Sequence, residues 1–239
     1  MIRRGLILAL GAVALAGGLS AALVPAGAAP ARKAAAPARD WTKTIVTTAE
    51  GGYRMGNPAA PVKLVEYGSL TCPHCAHFNA SAKAALEARV RTGKVSFEFR
   101  NFVLNGIDVT ATLLSRCAAP ANYFRLTESL YAAQPQWIGR ISGLPQAEKD
   151  KLKTLPEAER LARIADIGGL TQIAAAAGVT PQKGKACLAD PAALARLEKM
   201  AEAAAAQGVQ GTPTFFVNGK MVRADDWSAI EPEIRQAGG

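Results

Sequence analysis

The sequence predicts an α/β fold: a small mixed sheet interrupted by a block of helices, sharing one core. Three observations predict it. A strand–helix–strand pattern, Val62–Tyr67, Pro73–Arg91 and Val95–Phe99, opens the folded part. Helical patterning then runs from Ile107 to Gln207. Strand character returns at Thr214–Val217, followed by a hairpin and a last helix. Strands and helices in that order are accommodated by one layered sheet with a helical insertion.

The elements follow in order. Thr44–Thr47 is short and β-prone, and Gly51-Gly52 and Gly56-Asn57-Pro58 predict turns after it. Val62–Tyr67 (VKLVEY) has apolar residues on both faces, as expected of a central strand. Pro73 suits the first turn of a helix, where no N–H is needed. Cys75, Phe78, Ala82, Leu86 and Val90 recur at three- and four-residue steps, so one stripe of that helix should be buried. Gly93 should end it. Val95–Phe99 alternates as a second core strand. Candidate helices follow at 107–118, 122–133, 156–167, 171–177, 181–188 and 191–207, divided by Gly, Pro and Asp. Asn218-Gly219 is a hairpin signal between Thr214–Val217 and Lys220–Val222, and a helix over 226–237 closes the chain.

Ahead of this lies a different kind of sequence. Met1-Ile2-Arg3-Arg4 is positive, Gly5–Val24 is apolar, and Ala26-Gly27-Ala28 has the small-residue pattern of a cleavage site. Residues 1–28 are expected to be a secretory signal peptide; an uncleaved membrane anchor is the alternative, since twenty apolar residues nearly span a bilayer. Residues 29–40 continue an Ala- and Pro-rich stretch expected to be a flexible linker, with the folded domain over 41–239 and its helical insertion over about 106–207.

The 239 residues are 49% hydrophobic and carry a net charge of +9, or +7 without Arg3 and Arg4. The basic residues are scattered, with no run and no aromatic-studded patch, which argues against nucleic-acid binding.

The chemistry concentrates in TCPHCAHF, residues 71–78. Cys75 begins the apolar stripe, so its sulfur should face the core. Cys72 precedes the first turn, so its sulfur should sit exposed at the helix mouth, where unpaired N–H groups and the macrodipole favour a thiolate. Cys72 is therefore the expected nucleophile and Cys75 the resolving thiol. His74, between them, should favour the thiolate further through its imidazole, whereas His77 falls off the stripe and should be a surface residue. Zinc is the competing use of such a pair, but no second ligand pair lies nearby and the next cysteine is 42 residues on; no metal is expected. A purely structural bond closing so short a loop would add little stability. Glu66 shares a strand face with Val62 and Leu64. The pattern leaves open whether it is a partly buried proton relay or a strand-end carboxylate in solvent. Gly211-Thr212-Pro213 precedes a strand, where proline is tolerated.

Taken together, GNPAAPVKLVEY, EYGSLTCPHC and GTPTFFVNGK resemble the DsbA-like branch of the thioredoxin superfamily, from about Gly56 to the C-terminus. The resemblance implies a thioredoxin-like fold with an inserted α-helical subdomain. It implies a redox pair at Cys72 and Cys75 with motif residues Pro73 and His74, a buried acid at Glu66, a cis-proline at Pro213, and substrate contacts at Thr212 and Pro213. Thr212 departs from DsbA itself, which carries valine there, and agrees with the isomerase relatives. No N-terminal dimerisation domain fits between the signal segment and Trp41, so a monomer is expected. With Cys72 and Cys75 assigned to each other, Cys117 and Cys187 are expected to form a structural disulfide in an oxidising compartment. Two free buried thiols are the alternative.

The expected function is a periplasmic thiol–disulfide oxidoreductase, an oxidase that introduces disulfides into exported proteins. It should need no cofactor, since the two sulfurs are the redox centre. The resemblance implies re-oxidation by a quinone-linked, DsbB-like membrane partner. The alternatives are an isomerase or reductase of the same fold, or a non-catalytic, chaperone-like peptide-binding module.

Overall fold

The computed structural model describes residues 39–239. The expected signal peptide, and the linker as far as residue 38, lie outside the described residues. A short 3₁₀ turn at Trp41–Lys43, capped by the Asp40 side chain, leads into the sheet.

Six strands form that sheet: β1 (Ile45–Thr47), β2 (Tyr53–Gly56), β3 (Val62–Gly68), β4 (Val95–Asn101), β5 (Thr214–Val217) and β6 (Lys220–Val222). Their order is β1-β2-β4-β3-β5-β6. Only β3 and β4 run parallel, joined by helix α1 (Pro73–Arg91); every other pairing is antiparallel. β3 is central, as its two-sided apolar pattern predicts. Its Val62, Leu64 and Glu66 face α1, whose buried residues are Cys75, Phe78, Ala82, Leu86 and Val90, the expected stripe. Phe78 meets Phe215 of β5 at a ring-centroid distance of 4.5 Å, which seats the helix start over the strand that follows the Gly211–Pro213 loop.

Between β4 and β5 stand eight helices: α2 (Gly106–Cys117), α3 (Tyr123–Ala132), α4 (Gln134–Ser142), α5 (Gln146–Thr154), α6 (Glu157–Gly168), α7 (Leu170–Ala176), α8 (Pro181–Leu188) and α9 (Pro191–Ala206). Helix α10 (Trp227–Gln236) closes the chain. The fold is thioredoxin-like, with the helical insertion predicted. One cluster of buried side chains runs from the sheet through α1 into α2, α3, α4, α6 and α7, so the insertion shares the main core. Tyr67, Phe216, Ala204 and Val209 form a smaller cluster that ties α9 to the other sheet face.

Three elements differ from expectation. β2 lies between the two expected turns and takes in Gly56, in a segment for which no strand was expected. It has four residues, Tyr53 to Gly56, none β-branched, and it is a strand because β1 and β4 pair with both its edges. Helix α5 buries no residue, so it offers no apolar stripe to read. Helix α4 begins with Gln134-Pro135 and contains Gly139, features that suggest a break; Pro135 instead sits in its first turn, where proline costs nothing.

Candidate active site

Cys72 is the N-cap of α1. Its backbone is extended (φ −81°, ψ 120°), its sulfur accepts the Cys75 N–H at 3.4 Å, and its carbonyl accepts the Ala76 N–H at 3.2 Å. Pro73 follows at the first helical position. Both cysteines of the motif are free thiols.

The Cys72 residue is not exposed as expected: it is 4% accessible. The cover comes from a part of the chain 140 residues away. The Gly211–Pro213 loop lies over the helix start, and the Cys72 thiol donates to the Thr212 carbonyl at 3.3 Å. The Thr212–Pro213 peptide bond is cis. The Thr212 hydroxyl is buried without a partner when Cys72 is a thiol, and it is a donor available to the thiolate.

The two sulfurs are driven apart as acids. Donation from the Cys75 thiol, with help from the Thr212 side chain and the backbone N–H groups of Cys75 and His74, lowers Cys72 to about 5 against the opposing effect of burial. Cys75 is fully buried, and burial first, then its bond to Cys72 and the nearby Glu66 charge, push its thiol far up. One sulfur is thus an anion at neutral pH and the other holds its proton. The expected role of the His74 imidazole needs correction. The ring is exposed, and the contribution of His74 to Cys72 is its backbone N–H, because the helix start turns the main chain, not this side chain, toward the sulfur. His77 is exposed.

Glu66, on the α1-facing side of β3, is 3% accessible. Its Oε1 has no hydrogen-bond partner. Burial, and then the charge of Cys72, raise its pKa well above the ordinary carboxylate value. Gly68 makes room for it: a Cβ there would lie 2.4 Å from the Phe99 ring and 3.1 Å from Glu66 Oε1. A buried acid of this kind costs stability as pH rises above its unfolded value. Glu66→Gln is therefore expected to raise the denaturation midpoint at pH 8 and leave it nearly unchanged at pH 4. It should also slow oxidation of the dithiol by glutathione disulfide by about 100-fold, the lower end for losing a positioned acid–base group. Stopped-flow thiol exchange checks the second effect.

The strand-to-helix loop, Ser69–Cys72, is held from the insertion. Asp108, at the first turn of α2 and fully buried, accepts from Ser69 Oγ at 2.6 Å and from the backbone N–H groups of Leu70 and Leu104, each at 3.0 Å. Burial raises its pKa to about 6 against those bonds. Tyr131 of α3 donates its hydroxyl to the Ser69 carbonyl at 3.2 Å. Gln134 of α4 donates its amide to the carbonyls of Leu70 at 2.8 Å and Cys72 at 3.0 Å. None of these three stood out in the sequence. Asp108 had a local signal, an acid in a first turn behind the Asn105 cap. Gln134 had none, because it sits beside Pro135 where the chain suggests a break. Cys117 at the end of α2 and Cys187 on α8 are joined in a disulfide, with Cα atoms 6.0 Å apart. Among the described residues no three His, Cys, Asp or Glu side chains gather as metal ligands.

A thioredoxin family model, Thioredoxin_4, matches residues 48–235, which spans β2 to β6 of the sheet, the CxxC helix, the insertion and most of α10. The chain belongs to this thioredoxin family. A solved protein-disulfide isomerase from Novosphingobium aromaticivorans is 33% identical, with a TM-score of 0.72 over 78% of this chain and 97% of that one. Wolbachia pipientis alpha-DsbA1 superposes with a TM-score of 0.64 over 81% of this chain and 94% of that one; at 20% identity it supports the DsbA-like fold. A Rickettsia bellii protein provisionally named a protein-disulfide oxidoreductase is 29% identical over 197 residues, 79% of this chain. A Rickettsia conorii relative of the same description is 30% identical over 77% of the chain. The chain spans 65% and 59% of the length of these two relatives.

Proposed function

We propose that this protein is a thiol–disulfide oxidoreductase that passes the Cys72–Cys75 disulfide to exported proteins in the periplasm. The observation that carries the proposal is the split between the sulfurs: Cys72 held as an anion at the helix mouth, Cys75 held as a thiol behind it.

In the oxidised protein, a substrate thiolate attacks Cys72 Sγ and the Cys72–Cys75 bond breaks. Cys75 leaves and takes up a proton, which Glu66, whose hold on its proton is strengthened by burial, is placed to supply. A second substrate thiolate then attacks the substrate sulfur of the mixed disulfide, and Cys72 leaves as the stabilised thiolate. Two substrate thiols have become a disulfide and the protein has gained two electrons. Thr212 and Pro213, half-buried beside Cys72, contact the substrate chain. A thiolate favoured in the reduced form makes the disulfide oxidising. The DsbA-like fold supports a quinone-linked membrane partner as the route back to the disulfide.

Isomerase or reductase activity is the second reading. Thr212 and the similarity to the Novosphingobium protein-disulfide isomerase favour it. Equilibration with glutathione separates the two. Oxidase function requires a potential well above the thioredoxin value of about −270 mV, together with rapid oxidation of a reduced, unfolded substrate. A potential at the thioredoxin value would leave the reductase reading. Failure to exchange with glutathione at all would leave the peptide-binding module.

A further inference from the structure

We propose that Gln134, assisted by Tyr131, is the positioning residue through which the helical insertion sets the electron affinity of the Cys72–Cys75 pair. The inference rests on the oxidoreductase reading for its consequence, though not for its geometry.

The thiolate's support at Cys72 is local and depends on position. The Cys75 N–H reaches the sulfur at 3.4 Å, an ordinary N–H···S separation, and drift of residue 72 would weaken it. Inside α1 the Ala76 N–H on the Cys72 carbonyl opposes that drift, and little else does. Residue 72 precedes the helix, its backbone is extended, and Pro73 brings no N–H to tie the next peptide unit. The tie comes from elsewhere. Both amide hydrogens of Gln134 are spent on this loop, one on the Leu70 carbonyl and one on the Cys72 carbonyl. The Cys72 carbonyl thereby has two donors, Ala76 N–H and Gln134 Nε2, and the residues on both sides of Thr71 are pinned to α4. Gln134 is 5% accessible, so water offers no ready replacement for either bond. Tyr131, one helix earlier, holds the Ser69 carbonyl. Neither side chain hydrogen-bonds a sulfur. Together they fix where the sulfur sits relative to the Cys75 N–H and the Thr212 hydroxyl, the donors that distinguish thiolate from thiol. Sequence changes in α3 and α4 can then retune the pair with the CPHC motif and Thr212-Pro213 unchanged.

Two variants test this on the full chain. Gln134→Met keeps the volume and removes both donors. Tyr131→Phe removes one hydroxyl at the far end of the loop. Each is read by ultraviolet thiolate absorbance of the reduced protein against pH, which needs no turnover, and by the equilibrium with glutathione. Gln134→Met should move the Cys72 midpoint upward and shift the glutathione equilibrium about tenfold toward the protein disulfide, equivalent to about 30 mV for two electrons. Tyr131→Phe should shift both in the same direction by less. A Gln134→Met protein that loses stability yet titrates and equilibrates as the parent does would reduce Gln134 to a structural residue and overturn the proposal. If Gln134→Met does not fold, Tyr131→Phe decides alone: a shift of the stated sign supports the clamp, and no shift overturns it. If the unaltered protein fails to exchange with glutathione, the oxidoreductase reading falls, while the absorbance titrations still decide whether Gln134 positions Cys72.

Discussion

Cys72→Ser is expected to abolish dithiol–disulfide exchange and, with it, the ultraviolet thiolate signal of the reduced protein at neutral pH. In the unaltered protein that signal should titrate at about 5. The sulfur's ordinary pKa is 9.0, so its folded pKa lies below its unfolded one. A group depressed in this way stabilises the fold fully above the unfolded value and loses the contribution as pH falls through the folded one. The window runs from about pH 9 down to about 5. At pH 7 the contribution is on the order of 2–3 kcal/mol. The disulfide form has no thiolate and gains none of it. Reduced protein should therefore be more stable than oxidised protein near pH 7, with the gap narrowing as the solution is acidified toward pH 5. Cys72→Ser should show no acid-induced loss in this window beyond that of the oxidised protein. Paired denaturation curves at several pH values check the sign. A reduced protein no more stable than the oxidised one at pH 7, with a Cys72 midpoint near 9, would remove the driving force assigned to the pair.

How much of this could be read in the sequence depended on how far apart the cooperating residues lie. Helix α1 was legible because its stripe repeats every three or four residues, and the same pattern separates Cys72 from Cys75. Glu66 was half legible: its face follows from alternation along β3, but its lack of a partner depends on Phe99 and α1 closing over it. The cover on Cys72 was not legible, since Thr212 arrives from 140 residues away and no local pattern records the encounter. The resemblance to DsbA-like chains put Thr212 and Pro213 at the site; periodicity could not. Gln134 escaped both routes. It acts through backbone carbonyls, which every residue carries, so neither the donor nor its acceptors leave a composition signal. The β2 and α5 omissions have the same origin: one is a strand because of its neighbours, and the other is a helix without a buried face.

Removing the second cysteine pair, as Cys117→Ala with Cys187→Ala, is expected to cost roughly 4 kcal/mol of stability from loop entropy alone. The two positions are 70 residues apart, and the loop they close holds α3 to α7. Without the bond the unfolded chain regains the freedom of that whole loop, while the native side chains can still pack where they did. The site and the stability should then separate. At low denaturant the first turn of α2 still holds Asp108 against the Ser69–Leu70 loop, and α3 and α4 still present Tyr131 and Gln134, so the Cys72 midpoint should remain near 5. As denaturant rises, the insertion should loosen earlier than in the parent, and the thiolate signal at pH 7 should fall with it because the clamp on residue 72 lies inside the released loop. Denaturation followed in parallel by far-ultraviolet circular dichroism and by thiolate absorbance tests both halves. An unchanged midpoint of unfolding would mean that the disulfide constrains nothing the packed core does not already hold. A Cys72 midpoint already shifted in native buffer would mean that the bond between α2 and α8 helps to set the active-site geometry directly.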